Sequence, residues 1–557
     1  MILFGEDGPD GLRRRIAGSV HAATLAETVI AGAGDICAAL PAGRVLDARG
    51  TMLEVSRLVM ERVLTLGVAW AVTGHAPFRA RIVRELLAAS AFEDWNRRHF
   101  LDTAEMVAAV AIGRDWTRPI LSRGERETID GAIAHLGLYR GIGSLRGGTP
   151  WATAGTNWTV VCGGGLLTAA ALMRPDLPEA CDELMERAGD ALRLGLSRFD
   201  AAGGWPEGRT YGDYAARYAV LAIEALKATG LAERVPLDET GLLRHWRFQR
   251  ALVGPSGLAF DAGDSLAAPG RSPVLGWFAA EEPEAAAWQW AAPGAPHPLD
   301  LVWYHPPASG GAAPEGREVF EAGFATLRRQ QGGKAWYLAI RAGGNAANHA
   351  HLDLGSFVLD AGAERLVSDL GRADYDAPGY FDPARRFGHF PAQTRAHNVA
   401  FAAEQAVAAT AAFVTDPADP FRIAVEIDDP TSPFHHLRGF ALTEGGAVVA
   451  DLLQPKAAGD VPLVWQVHTT LPVQAEGGNV RLGAFRLRLG GVPLSVEPVA
   501  AEAERYPAFR RLVARCTIPA EGQLIAATFS DDHGTPDPGP LAAWLTATAA
   551  KRWSSDG

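Results

Sequence analysis

The hydrophobic pattern changes period once along the chain, and that single change limits the fold more than any other feature. From about residue 50 to 250, apolar residues recur at helical spacing: Leu53, Leu58, Val59, Val63, Leu64 and Leu66, then Ile82, Val83, Leu86 and Leu87. Further helical segments are expected over 104–113, 129–136, 164–172, 181–196 and 214–229. Breaks such as Arg146-Gly-Gly-Thr-Pro and Ala202-Gly-Gly-Trp-Pro separate them. Beyond about residue 318 the pattern shortens to β-type runs at Ala335–Arg341, Ser356–Leu359, Phe421–Ile427, Gly446–Leu452, Leu463–Thr469 and Leu524–Phe529. A closing helix is expected over 541–550. The fold class read from this is α+β and multidomain, with helical hairpins first and an antiparallel β-sandwich after them. Stacked hairpins can close into an (α/α) toroid, although periodicity alone says only helical. The Gly-, Pro- and Ala-rich stretch from about 254 to 318 reads as the connection, giving a helical domain at 1–300 and a sandwich at 301–557.

A chain of 557 residues can bury large cores without covalent staples. Its four cysteines, Cys37, Cys162, Cys181 and Cys516, lie far apart with no CxxC pair, so they read as small buried hydrophobes. The net charge of −12 argues against general nucleic-acid binding, and an acidic substrate would have to be drawn by a local basic cleft. No apolar stretch near the start has signal-peptide form, and the run from Leu64 to Val72 is too short to span a membrane. The expectation as written is a cytoplasmic protein with no membrane partner, or a periplasmic or secreted one had a leader been removed. Nothing in the sequence sets an oligomeric state.

The densest chemistry lies in Asn345-Ala-Ala-Asn-His-Ala-His-Leu-Asp-Leu-Gly-Ser-Phe. On an extended segment His349, His351 and Asp353 would share one face, because strand side chains alternate. Leu366-Val-Ser-Asp-Leu-Gly and Arg395-Ala-His-Asn-Val follow. Two imidazoles and a carboxylate form an ordinary zinc ligand set with one position left for water, and Asp369 and His397 are the obvious partners for one of the motif histidines. The bland alternative is a set of hydrogen-bonded core histidines.

The stretch NHAHLDLGSFVLDAGAERLVSDLGRADY, followed by RAHNVAF, resembles the signature of the heparinase II/III-like polysaccharide lyases. The resemblance implies one structural zinc per chain held by His351, Asp369 and His397, no organic cofactor, and an active-site role for His349. HHLRGFALTEGGAVVADLL and WQVHTT also match, carrying His436, Arg438, Asp451 and His468, the last read as a core histidine. The family carries a helical toroid before its sandwich, and three segments here are similar to its landmarks: FEDWNRRHFLDTAEMVAAVAIGRDW, GTNWTVVCGGGLLTAAAL and GGWPEGRTYGDYAARY. In the first, Asp94, Glu105 and Asp115 are expected to hold helices together. The other two supply Asn157, Glu207, Tyr211 and Tyr214. Asn157 also reads as a helix N-cap, a role compatible with substrate contact. Several family members have His directly after this Asn, whereas this chain has Trp158, so a second histidine is missing there.

The reaction implied is β-elimination on a 4-linked uronic-acid-containing polysaccharide or oligosaccharide, of glycosaminoglycan or alginate type. It needs one group to neutralise the uronate carboxylate, one to take the C5 proton and one to protonate the leaving oxygen. Asn157 suits the first task, with Glu207 sharing it if protonated. Tyr211, with Tyr214 one turn away as the alternative, suits the acid, and also the base on one sugar epimer. His349 is the other candidate base. Trp158, Arg209, Arg372 and Arg395 are the candidate substrate contacts, with Arg385 and Arg386 nearby, since guanidinium groups read carboxylate and sulfate bidentately. The site is expected where helix-borne Asn157 and Tyr211 meet His349. Two rivals remain: a metal-dependent hydrolase using the HxHxD motif, although Leu354 stands where that motif ends in His, and a non-catalytic acidic-sugar-binding protein.

Overall fold

The structure, a computed structural model, describes residues 1–307, 313–476, 479–490, 494–498, 508–532 and 534–553. The chain divides into two compact units, described separately below. The first comprises Met1–Phe199, Tyr211–Arg247 and Gly270–Ala312. The second comprises Asp200–Thr210, Phe248–Pro269 and Ala313–Gly557.

The first unit is helical. At its centre run Phe100–Thr117 and Asn157–Met173, whose residues are almost all buried. Their sequences are largely apolar with no single polar face, as a helix enclosed by other helices requires. Asn157–Met173 carries Gly163, Gly164 and Gly165 in its interior, where each glycine costs about 1 kcal/mol of helix propensity. Close approach explains them. A Cβ on Gly164 would lie 2.5 Å from the Tyr218 carbonyl oxygen, and one on Gly165 2.5 Å from that of Ala104. The segment expected at 129–136 is an α-helix, Arg123–Ala132, running into a π-helical turn, Ile133–Leu138. Gly137 sits in that turn, and a Cβ there would meet Val107 at 2.3 Å.

The second unit is built of antiparallel sheets. A five-stranded sheet takes the order Gly316–Phe320, Phe324–Gln331, Lys334–Arg341, Phe357–Ala361 and Glu364–Val367. A nine-stranded sheet has Gln523–Ser530, Gly446–Pro455, Phe434–Thr443 and Arg422–Asp428 adjacent at its middle. In a four-stranded sheet Val461–Thr469 lies between Ala400–Phe401 and Arg510–Ile518. One core joins all three sheets, with Leu338, Phe357, Phe440, Val449, Trp465, Leu512 and Phe529 buried in it. The closing helix, Gly539–Arg552, lays Leu541, Leu545 and Ala549 on Leu437, Ala441, Val448 and Ala450, a second apolar cluster on the nine-stranded sheet. Gly439 makes room for it: a Cβ there would lie 2.8 Å from Leu545.

Helices first and antiparallel sheets after them is the fold class the periodicity predicts. The expected connection differs. Its span holds the helices Leu275–Glu281, Pro283–Ala291 and Leu299–Val302, with Trp277, Phe278, Trp288 and Leu299 buried. Its beginning, through Pro269, belongs to the sheet unit. The Gly and Pro content hid short helices whose apolar residues are too few to show a period. The Ser309-Gly-Gly-Ala part of that stretch lies outside the described residues.

Candidate active site

In the sheet unit the densest polar cluster forms around Asp264, which is fully buried. One carboxylate oxygen, Oδ2, lies 2.8 Å from His349 Nδ1. The other, Oδ1, lies 3.0 Å from His351 Nε2 and 2.9 Å from an Arg386 guanidinium nitrogen, and also accepts the Tyr380 hydroxyl. Burial alone would raise Asp264. The hydrogen bonds from His349 and His351 and the Arg386 charge instead hold it well below the usual carboxylate range. His349 Nε2 lies 3.8 Å from Glu207 Oε2, and that oxygen accepts from Asn348 Nδ2 at 2.7 Å.

The motif is a turn and not a strand. His349 has φ of 62°, a left-handed conformation that costs a side-chain-bearing residue of order 1–3 kcal/mol. His349, His351 and Asp353 therefore do not share one strand face. Asp353 accepts the Gly263 N–H at 3.2 Å and faces Arg341 at 3.7 Å, whereas both histidines turn to Asp264. Aromatic residues crowd the same loops. The exposed Phe381 ring sits edge-on to His349 at 6.4 Å and to Tyr375 at 4.8 Å.

His351 and His397 come together, their rings 5.2 Å apart. His397 Nδ1 pairs with Asp369 Oδ2 at 2.9 Å, and Asp369 Oδ1 accepts the Gly371 N–H at 3.0 Å. Burial alone would lower His397, but the Asp369 charge raises it to about 8. Burial and the same Asp369 charge push Asp261 up to about 7. Among the described residues, no three His, Cys, Asp or Glu side chains converge as a metal-binding group. The donor set nevertheless fits zinc in kind. His351 Nδ1, His397 Nε2 and Asp261 Oδ1 are buried atoms with no hydrogen-bond partner among the described residues, and an imidazole nitrogen so placed is the usual zinc donor.

In the helical unit Asn157 is the first residue of its helix and buried, while Thr156 takes the cap position, its N–H donated to Thr159 Oγ1 at 3.2 Å. The N-cap reading of Asn157 is thus off by one residue. Trp158 meets the His99 ring edge-on at 4.8 Å, and His99 Nδ1 pairs with Asp102 at 2.7 Å. Tyr211, buried, and Tyr214 lie in the first turns of Arg209–Ala228. Tyr214 donates its hydroxyl to Glu105, which also receives Tyr218 at 2.7 Å and faces Arg57 at 3.5 Å. Burial and the Glu105 charge push the Tyr214 phenol well above its ordinary range. Glu105 is thus a packing hub, as are Asp94, held by Arg44 at 2.6 Å, and Asp115, which accepts the Ile2 N–H at 2.9 Å.

The candidate arginines disperse. Arg209 is buried and donates from Nε to the Gln249 carbonyl at 3.2 Å, a structural contact. Arg372 stacks 3.7 Å from the centre of the Tyr375 ring. Arg395 pairs with Gln393 at 2.6 Å and faces Glu404 at 3.8 Å. Arg386, beside Asp264, is the guanidinium the cluster holds. His468 is a core residue pushed down to about 3 by burial, and His436, Arg438 and Trp465 converge on buried Asp451. Cys162 and Cys181 are buried. Sequence reasoning missed Asp261, Asp264, Asn348, Tyr380 and Phe381. The available signal was Phe260-Asp-Ala-Gly-Asp, two acids beside a glycine inside a supposed linker.

Residues 312–511 match the model for the heparinase II/III-like C-terminal family. The matched span lies in the sheet-rich part of the chain. The resemblance read from the motifs therefore holds, and the fold of the whole chain agrees with it. A heparinase III, the BT4657 gene product, superposes with a TM-score of 0.57 at 14% identity, covering 86% of this chain and 77% of its own. The heparan sulfate lyase HepC from Pedobacter heparinus gives 0.54 at 13% identity over 96% of this chain and 93% of its own. The Streptomyces coelicolor chondroitin AC lyase, solved with chondroitin sulphate, gives 0.53 at 14% identity over 98% and 84%. No curated protein matches the sequence at a significant level. No helix among the described residues is long and apolar enough to cross a membrane.

Proposed function

We propose that this protein is a polysaccharide lyase that cleaves 4-linked uronic-acid-containing glycans, of glycosaminoglycan or alginate type, by β-elimination. The observation that carries the reading is the His349 imidazole, held at Nδ1 by a buried carboxylate and turned at Nε2 toward Glu207, inside a heparinase II/III-like domain. Nε2 takes the C5 proton. The C5–H electron pair becomes the C4–C5 double bond, the C4–O bond breaks, and the Tyr211 phenol gives its proton to the departing oxygen. On the opposite sugar epimer Tyr211 serves as base as well. Asn157 donates its amide to the uronate carboxylate as negative charge builds there. Tyr214, committed to Glu105, has no part in the step.

Zinc is proposed as a structural ion, one per chain, held by His351, Asp369 and His397. Bound there, it would clamp the loops that carry these residues, with no part in proton transfer. The hydrolase alternative is disfavoured by the turn, in which both motif histidines face Asp264 instead of sharing a strand face with Asp353. The test is a panel of glycosaminoglycans, alginate and related uronates, read by the ultraviolet absorbance of the conjugated double bond in an unsaturated uronate product. New reducing ends without that absorbance would mean hydrolysis. Binding without cleavage would mean a sugar-binding protein.

A further inference from the structure

Resting on the lyase reading, we propose that Asp264 is the positioning residue for the His349 base, one oxygen fixing the tautomer of His349 and the other that of His351. An ionised carboxylate only accepts hydrogen bonds, so His349 Nδ1 at 2.8 Å and His351 Nε2 at 3.0 Å must both carry the proton. In the neutral imidazole the lone pair of His349 is then on Nε2, the nitrogen that faces Glu207. The contact is reciprocal, because the Asp264 N–H donates to the His349 carbonyl at 3.0 Å. Side chain and backbone together hold the base in its left-handed turn. Gly263 is what lets the two segments meet: its φ is +58°, and a Cβ would lie 2.5 Å from the His349 carbonyl oxygen.

The Tyr380 hydroxyl and the Arg386 guanidinium both reach Oδ1. They supply the charge and donors that keep the carboxylate buried, and Oδ2 is left to the base. Asp264→Asn keeps the shape but replaces one acceptor oxygen with an NH₂ group. With its oxygen toward Arg386 and Tyr380, its NH₂ faces His349 Nδ1 and draws the imidazole into the Nε2–H tautomer, whose Nε2 cannot take the C5 proton. The same logic operates for the buried aspartate of serine-protease triads, where the Asn variant loses about 10⁴-fold in turnover.

Two measurements test this. Steady-state kinetics of Asp264→Asn should show turnover lower by about 10²–10⁴-fold with KM little changed. Unchanged turnover, or a loss confined to KM, would overturn the proposal. Nitrogen NMR of histidine-labelled wild-type protein at mildly alkaline pH, assigned with His349→Gln, should show His349 with a protonated Nδ1 and a bare Nε2. The opposite tautomer would overturn the proposal even if Asp264→Asn failed to fold. A wild-type protein that forms no unsaturated product, yet shows the Nδ1–H tautomer, would remove the lyase reading and leave the positioning role of Asp264 standing.

Discussion

Replacing each of two tyrosines by phenylalanine separates chemistry from packing in the helical unit. Tyr214 donates to Glu105, which is 1% exposed and also held by Tyr218 at 2.7 Å and Arg57 at 3.5 Å. A hydrogen bond to a charged group is worth about 1.5–3 kcal/mol, and Glu105 keeps two partners, so Tyr214→Phe should cost stability at the low end of that range. The ring under the Arg57 guanidinium, 5.0 Å from its centre, stays in place. Tyr211→Phe removes the proposed proton donor and keeps the ring. Turnover should fall by about 10²–10⁴-fold, or about 2.7–5.5 kcal/mol of barrier, with KM little changed. Initial rates of double-bond absorbance and a thermal melt of each variant give both readouts. Collapse of turnover in Tyr214→Phe, with Tyr211→Phe near wild type, would refute the assignment. Retained turnover in both would take tyrosine out of the mechanism and leave His349 as the acid–base group.

Three further outcomes are expected. Purified protein should hold about one zinc per chain, and chelation should lower the melting temperature before it lowers initial rates; metal analysis at trace level would contradict the His351, Asp369 and His397 assignment. Phe381→Ala removes an exposed aromatic face beside His349, so KM should rise more than turnover falls, and a pure turnover defect would place Phe381 outside the substrate path. Gly263→Ala forces a Cβ to within 2.5 Å of the His349 carbonyl oxygen at a φ of +58°, so it should lower both stability and turnover, whereas a wild-type melt and rate would show the turn to be pliable.

The fold was legible because its two halves obey different periods. The strand expected at Leu463–Thr469 is observed at Val461–Thr469, and the helix expected at 181–196 at Pro178–Leu196. Where one stretch held two geometries, as at 129–136, the period could not show that an α-helix passes into a π turn. The site was legible only in its histidines. His349, His351 and His397 stand out by residue type, but Asp264 is one of two acids in a Gly- and Ala-rich stretch, 85 residues before His349. Nothing local to either residue announces such a pairing; it is a product of tertiary structure. For the arginines, nearness in sequence did not foretell their contacts: one guanidinium stacks on Tyr375 and another bonds to the Gln249 carbonyl.

The placement of strain connects the fold to the chemistry. A left-handed histidine and a buried carboxylate with four polar side-chain partners each work against folding when taken alone. Together they support one another. The His349 turn offers its carbonyl to the Asp264 N–H, Gly263 leaves the space for that approach, and Arg386 and Tyr380 neutralise and solvate a carboxylate that water does not reach. A core built for stability alone would have filled this volume with apolar side chains, because buried ionic clusters seldom out-stabilise hydrophobic packing of similar volume. On the proposed lyase reading, what the cluster supplies in exchange is a base with one tautomer and one orientation, the property a proton abstraction from a weakly acidic carbon most needs.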